Sequence, residues 1–139
     1  MTKEQIQMMI EGNAFANVND VELLEDENGN YLTRVKLAAG HKNPYGTAHG
    51  GLIYTMADAA AGFASCTVAE MPVTLHSDFH FIKNVKEGVI TAKAEVLQKG
   101  GRIILLRVKV TSDTGVLLGE GTFTYYEYGA KLHSDSGEK

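Results

Sequence analysis

The twenty residues from Gly50 through Ala69 contain a single charged side chain, Asp58. The other residues are apolar, small or hydroxyl-bearing, and the stretch is rich in alanine and free of proline, which is typical of a helix. We therefore predict a helix from Leu52 to about Val68. Because a helix that is apolar almost all round is buried on most of its sides, the rest of the chain has to enclose it.

The segments around this helix have the alternating pattern of β-strands. Tyr31 to Leu37 alternates after a polar turn that contains Asn28 and Gly29, which indicates a strand with one wet face. Four further β-rich runs follow the helix, at Val73–Ile82, Val89–Leu97, Ile103–Val110 and Leu117–Tyr126. The turns between them are short enough for antiparallel neighbours, so we predict an α+β domain in which one sheet curls around one helix.

The chain has 139 residues, which fits one domain, and we predict a single domain over residues 1–139. Apolar residues at Ile6, Met9 and Ile10 predict a short amphipathic helix over residues 3–11. The polar tail, residues 131–139, is expected to be frayed.

Composition excludes several classes of partner. A net charge of −4 gives no general basic field for a nucleic-acid backbone. The N-terminus lacks the apolar core of a signal peptide, and no stretch approaches the roughly 20 apolar residues of a membrane span. A single cysteine, Cys66, excludes an internal disulfide and suits a reducing cytosol. We therefore expect a cytoplasmic protein with no nucleic-acid or membrane partner.

Asp58 is the most informative residue of the apolar helix, because a buried carboxylate needs a structural partner or a function that compensates for its desolvation. Gly51 lies seven residues earlier, about two turns, and therefore on the same side of the helix. A helix start exposes N–H groups that suit an oxygen becoming negative as a carbonyl is attacked. Glycine at positions 50 and 51 would let a substrate approach that backbone closely. Taken alone, these residues have simpler alternatives: Asp58 faces solvent or a subunit boundary, and the glycine pair only shapes a loop-to-helix turn.

A motif of fixed residue types precedes and enters the helix. Its members are Asn43, Gly46, His49, Gly50, Gly51 and Asp58. The motif resembles that of hotdog-fold acyl-CoA thioesterases of the phenylacetic-acid-degradation type, and a looser resemblance in element order extends over roughly residues 30–127. The resemblance implies a hotdog fold, in which a curled antiparallel sheet of five to six strands wraps around one long central helix. It also implies hydrolysis of an acyl- or aryl-acyl-CoA to the free acid and coenzyme A, with no cofactor.

The resemblance also implies roles for the motif residues. Asp58 would be the general base that activates water or the nucleophile that attacks the thioester, and both alternatives stay open. The Gly51 backbone N–H would hold the thioester oxygen. His49 and Asn43 would shape the motif loop and hydrogen-bond the thioester or the attacking water.

Residues of the following strand are the other catalytic candidates. The family position that often carries a water-orienting hydroxyl falls on Thr74, with His76 or Ser77 as the alternatives. His76 and His80 would lie about 13 Å apart along a strand, too far for one ion, so we expect no metal. We expect Cys66 to be a core residue rather than a nucleophile.

Substrate contacts are expected at the helix and at a hairpin turn. The acyl pocket would be lined by helix residues, and the coenzyme phosphates would lie at a basic turn, where Arg102 pairs with phosphate with help from Lys99. A solvated hairpin is the alternative for this turn. The candidate residues are Gly50, Tyr54, Met56, Phe63, Gly101 and Arg102.

The family pattern implies an assembly. In it the acid faces the helix start of a neighbouring subunit, so each site would be built from two chains, with a homodimer as the minimum unit and a homotetramer as the expected assembly. Two rival functions remain. A hotdog hydratase or dehydratase would add water to an enoyl-CoA without releasing thiol, and a non-catalytic acyl-CoA-binding module would bind without releasing thiol.

Overall fold

Six antiparallel strands form one sheet that curls around a central helix. The computed structural model describes residues 1–129. Its helices are α1 (Lys3–Glu11), α2 (Ala14–Val18) and α3 (Gly50–Cys66), with a 3-10 turn at Ala39–His41. Its strands are β1 (Glu22–Glu25), β2 (Tyr31–Lys36), β3 (Pro72–Phe81), β4 (Val89–Gly100), β5 (Ile103–Ser112) and β6 (Leu117–Glu127). The strand order across the sheet is β1-β2-β4-β5-β6-β3. Strand β3, which follows α3 in the chain, therefore lies at one edge of the sheet and pairs only with β6.

The central helix is buried because its sheet-facing side is made of apolar and small residues. Met56, Ala57 and Ala60 have no exposed surface, and alanine side chains allow a helix to approach a sheet closely. Phe123 of β6 and Leu106 of β5 are fully buried in the same cluster. The apolar stretch is therefore the centre of the core, as its composition predicts.

The predicted fold class is confirmed, and the differences lie at the N-terminal half and the element ends. The central helix begins at Gly50, two residues before the predicted start. The sequence patterns miss α2 and β1, because elements of five and four residues are too short to show a period. The tail 131–139 lies outside the described residues. None of the helices in residues 1–129 is long and apolar enough to cross a membrane.

Strand β3 is the longer of the two edge strands of the sheet. Most of its side chains are exposed, including Val73, Leu75 and Phe81. Its register with β6 shifts between Thr74 and His76, so Leu75 is the extra residue of a β-bulge. Bulges re-aim neighbouring side chains and are frequent at sheet edges, and this one lies beside Thr74.

The expectation that Met56 lines an acyl pocket is wrong. Met56 faces the sheet and is 0% exposed, and it is absent from the lining of the cavity described below. Met56→Ala should therefore act on stability, lowering the free energy of unfolding by about 2–5 kcal/mol through the cavity it leaves. Met8, 71% exposed, is the matched control. Met8→Ala should change the free energy of unfolding by less than about 0.5 kcal/mol. Urea denaturation of both variants tests this, and equal effects would contradict the assignment.

Candidate active site

Asp58 lies half-buried on the side of α3 that faces a cavity of about 590 Å³. The cavity is bounded by α3, the start of β3 and the two N-terminal helices. Its lining includes Met9, Phe15, Tyr54, Asp58, Phe63, Thr74 and Tyr125. One carboxylate therefore stands in an otherwise largely apolar lining, which suits an uncharged organic group beside a reactive oxygen.

Two hydroxyl groups donate to the same oxygen of Asp58. Thr74 Oγ1 lies 2.8 Å and Tyr125 Oη 2.6 Å from Asp58 Oδ1. Tyr125 Oη also lies 2.7 Å from the Asp58 main-chain carbonyl oxygen, so the single phenolic proton is shared between two acceptors of one residue. Burial, and secondarily the nearby Asp58 charge, raise the pKa of Tyr125, which keeps the phenol protonated as a donor.

The sheet register explains why these two hydroxyls converge. Thr74 of β3 and Tyr125 of β6 are directly opposite each other in the antiparallel pair, and opposite residues project their side chains from the same face. Alternate residues of β6 point towards α3, Phe123 and Tyr125 among them. The predicted alternatives for Thr74 are elsewhere: the Ser77 hydroxyl is hydrogen-bonded to Tyr54, and His76 is exposed.

The start of α3 carries an unusual cap. His49 is the N-cap residue, and its Nδ1 accepts a hydrogen bond of 2.8 Å from the Gly51 N–H. In the neutral ring the proton is then on Nε2. Within residues 1–129, the Gly50 N–H has no hydrogen-bond acceptor. The amide of Gly50 is therefore the one that points out of the helix start without a partner.

The motif loop is held by two asparagines. The Asn43 side-chain oxygen accepts hydrogen bonds from the Tyr45 and Thr47 backbone N–H groups, and its nitrogen donates to Thr47 Oγ1 at 2.8 Å. Asn84, which the sequence patterns do not single out, bonds both the N–H and the carbonyl of Ala48. Asn43 thus shapes the motif loop through hydrogen bonds to residues of the loop itself.

The apolar side of the cavity has an aromatic wall. Tyr54 packs against Phe79 and Phe123 with ring centroids 6.0 and 5.6 Å apart, and its hydroxyl bonds Ser77. Phe63 lines the cavity from the next turns of α3. Phe15 of α2 lines it from the opposite side and is largely exposed. Two of the three predicted acyl-pocket residues, Tyr54 and Phe63, therefore lie at the cavity.

The Gly101–Arg102 turn lies at the C-terminal end of β6, close to Glu127, and near the segment that follows α3. Arg102 donates to the Glu127 main-chain carbonyl at 3.0 Å, and Lys99 pairs with the Glu127 carboxylate at 3.3 Å. Lys99 also donates to the Val68 carbonyl. Both cations are engaged within the chain here, and a phosphate would have to share them.

No three His, Cys, Asp or Glu side chains come together as metal ligands in the part of the chain that the structure describes. His76 and His80 are both exposed residues of β3. His80 Nε2 lies 3.7 Å from Asp78 Oδ1. The two histidines follow the strand spacing that the sequence predicts for them.

Comparison with known proteins gives one family and a consistent fold. The model of the thioesterase superfamily matches residues 45–118. Human acyl-coenzyme A thioesterase 13 is 29% identical over 127 residues, covering 88% of this chain and 91% of that protein. The PaaI protein of the E. coli phenylacetic acid degradation operon has a TM-score of 0.82 at 17% identity, covering 90% and 91% of the two chains. A hypothetical thioesterase from Streptococcus pneumoniae, solved with coenzyme A, has a TM-score of 0.77 at 25% identity, covering 88% and 96%.

Cys66 is the buried last residue of α3, and burial raises the pKa of its thiol to about 11. The thiolate is the reactive form, and it is scarce well below that pH. At pH 8 the folded protein should therefore not react with DTNB, while the protein in guanidinium should show one thiol per chain. Absorbance at both conditions tests this. Rapid labelling of the folded chain would mean that this end of α3 opens.

Proposed function

The chain belongs to the thioesterase superfamily and is a thioester hydrolase, and we propose that its substrate is an acyl- or aryl-acyl-CoA. The products are the free acid and coenzyme A. The human relative is named an acyl-coenzyme A thioesterase, and the similar Streptococcus pneumoniae structure contains coenzyme A. Both support the coenzyme part of the proposed substrate. The largely apolar cavity with its aromatic wall supports the acyl part.

One observation carries the proposal: a carboxylate fixed through one oxygen at the side of an acyl-sized cavity. Asp58 Oδ1 accepts two hydrogen bonds, and Asp58 lines the cavity. As a nucleophile, Asp58 forms an anhydride with the acyl carbon and expels the coenzyme thiolate, and water then hydrolyses the anhydride. As a general base, it takes a proton from the water that attacks. Thr74 positions the carboxylate or the water in either case.

The amides of the helix start supply the donor for the thioester oxygen in this proposal. The resemblance implies this role for the Gly51 N–H, which donates a hydrogen bond to His49 Nδ1. The partner-free N–H of the neighbouring Gly50 is therefore the more available donor, and the Gly51 amide joins it only when the imidazole moves. His49 thus caps the helix start through Nδ1, and a hydrogen bond from its ring to the thioester or the attacking water remains a prediction.

Helix geometry supports a site made from two chains. Asp58 is eight residues from Gly50, about 12 Å along the axis. A carbonyl within about 3.5 Å of an attacking oxygen and about 3 Å of an amide donor spans less than that. These lengths fall short of that separation, which supports a site in which the helix start of a second copy supplies the amide.

The exposed edge of the sheet supports the pairing of two copies. β3 spans ten residues and pairs only with β6, so one side of it presents open backbone N–H and C=O groups. Exposed Val73, Leu75 and Phe81 on this strand add apolar surface, and long apolar edges pair with other strands. We propose a homodimer through β3 as the minimum unit and a homotetramer as the full assembly. A cytoplasmic location and phosphate binding at Gly101 and Arg102 remain predictions.

Asp58→Asn should abolish most hydrolysis, because the amide can neither attack nor accept the proton. We expect kcat to fall by at least about 10²-fold with the fold and assembly intact. Asp113→Asn, at an exposed position of the turn between β5 and β6, is the matched control and should keep kcat. Thiol release from short, long and aromatic acyl-CoA esters measures both. Near-full activity of Asp58→Asn would rule out its role.

Gly50→Pro removes the proposed amide donor while keeping the helix. Proline is favoured at the first helical position, and His49 already has φ −66° and ψ 134°, which precedes proline without strain. We expect a loss of about 10²–10³ in kcat, whereas Gly50→Ala keeps the N–H and should keep most activity. Unchanged kcat in Gly50→Pro would move the donor elsewhere.

Mixing the two inactive variants tests whether the site crosses chains. In a heterodimer of Asp58→Asn and Gly50→Pro, one site carries both defects and the other carries none. After subunit exchange at equal amounts, about one quarter of the wild-type specific activity should return, since half of the dimers are mixed and half of their sites are intact. No recovery, with exchange verified by mass spectrometry, would contradict a shared site.

A further inference from the structure

The two oxygens of Asp58 differ in their surroundings. Oδ1 accepts the hydroxyl protons of Thr74 and Tyr125. Oδ2 accepts no hydrogen bond from residues 1–129. We propose that Tyr125 is a positioning residue, which anchors Oδ1 and thereby presents Oδ2 to the thioester or the water. This inference rests on the proposed hydrolysis, and it adds a residue of β6 that the motif does not contain.

Tyr125 is better placed than Thr74 to act as the anchor. Thr74 is exposed on the edge strand, whereas Tyr125 is 3% exposed on a strand paired on both sides. A buried tyrosine has few accessible rotamers, so its hydroxyl is held in one place by packing. Thr74 adds a second hydrogen bond, but the position of Oδ1 is set from inside the sheet.

The hydroxyl of Tyr125 is tied to the helix as well as to the side chain. Its contact with the Asp58 main-chain oxygen, at 2.7 Å, is nearly as short as its contact with Oδ1. The phenol therefore fixes the position of the Asp58 carboxylate relative to the main chain of the same residue. This arrangement fixes the side-chain torsions of Asp58 and not merely its distance from the strand.

A glycine on α3 makes this approach possible. Gly62 lies one turn after Asp58, and a methyl group at that position would lie 3.3 Å from Tyr125 Oη and 3.6 Å from its Cε2. The 3.6 Å distance is ordinary van der Waals contact, but the 3.3 Å distance is tight, so a side chain at position 62 would require the hydroxyl to shift by a few tenths of an ångström. A glycine at position 62 of this alanine-rich helix is thus explained by the room that it leaves for the Tyr125 phenol.

The protonation state of the phenol fits a permanent donor. Burial raises the pKa of Tyr125, and the Asp58 charge raises it further. A group whose pKa is raised stays protonated as the pH increases through the neutral range, so Tyr125 donates throughout any practical assay. It does not act as a base, and its role is to orient.

Tyr125→Phe removes the hydroxyl and keeps the ring. We expect kcat for a good acyl-CoA to fall roughly 10- to 100-fold, because a hydrogen bond to a charged group and the aim of the reactive oxygen are both lost. KM should stay within about threefold, since the acyl cavity is unchanged. The matched control is Tyr31→Phe: Tyr31 is also buried, packs against Phe63 of α3 and lies away from Asp58.

A second readout needs no substrate. With carboxyl-¹³C aspartate, the Asp58 resonance is identified by its loss in Asp58→Asn. It should shift in Tyr125→Phe and stay in place in Tyr31→Phe, while thermal melting shows that both variants are folded. A merely structural tyrosine would change stability without moving this resonance or separating kcat from KM.

The outcomes separate the two proposals. Reduced kcat with unchanged KM and a shifted Asp58 resonance supports the positioning role. Unchanged kcat in a folded Tyr125→Phe overturns it. If the wild-type protein releases no thiol from any acyl-CoA, the proposed hydrolysis fails, and the resonance still decides whether Tyr125 holds Asp58: a shift supports the anchor, and an unmoved signal overturns it.

Discussion

The packing of α3 against the concave side of the sheet is the constraint on which the rest of the structure depends. Met56, Ala57 and Ala60 bury one side of the helix completely, and the small residues let β5 and β6 approach its axis. An antiparallel sheet that covers such a helix has to curl, and a curled sheet leaves an edge at each end. The buried helix, the curvature and the exposed β3 edge are therefore consequences of one composition.

The same packing brings polar groups to one point. Because β6 lies against α3, the inward phenol of Tyr125 meets the helix at the turn that carries Asp58. Because β3 pairs with β6, Thr74 arrives beside Tyr125. The carboxylate gains two donors on one oxygen without any loop having to close over it. The apolar interior holds the ring of Tyr125 in place, and Asp58 itself is half-buried at the cavity.

Local patterns in the sequence are sufficient for the fold and for half of the site. The apolar stretch with its single charge predicts α3, and strand alternation and turn residues predict β2 to β6, because these signals depend on neighbouring residues. The motif predicts the loop, the helix start and Asp58. Tyr125 escapes prediction because a tyrosine in an apolar strand has the pattern of a core residue, and only the long-range register with Thr74 and the gap at Gly62 give it a partner. Asn84 escapes for the same reason, since its contacts are thirty-six residues away in the chain.

The location of Thr74 on the edge strand has a thermodynamic consequence. A strand that adds to β3 forms its hydrogen bonds along the same backbone that carries the hydroxyl partner of Asp58, next to the bulge at Leu75. Ordering of the β3 backbone and association of two chains through β3 are then thermodynamically coupled. By linkage, each process favours the other. A ligand that orders the residues around Asp58 would strengthen the proposed association through β3. Dilution would weaken both this association and the ordering around Asp58.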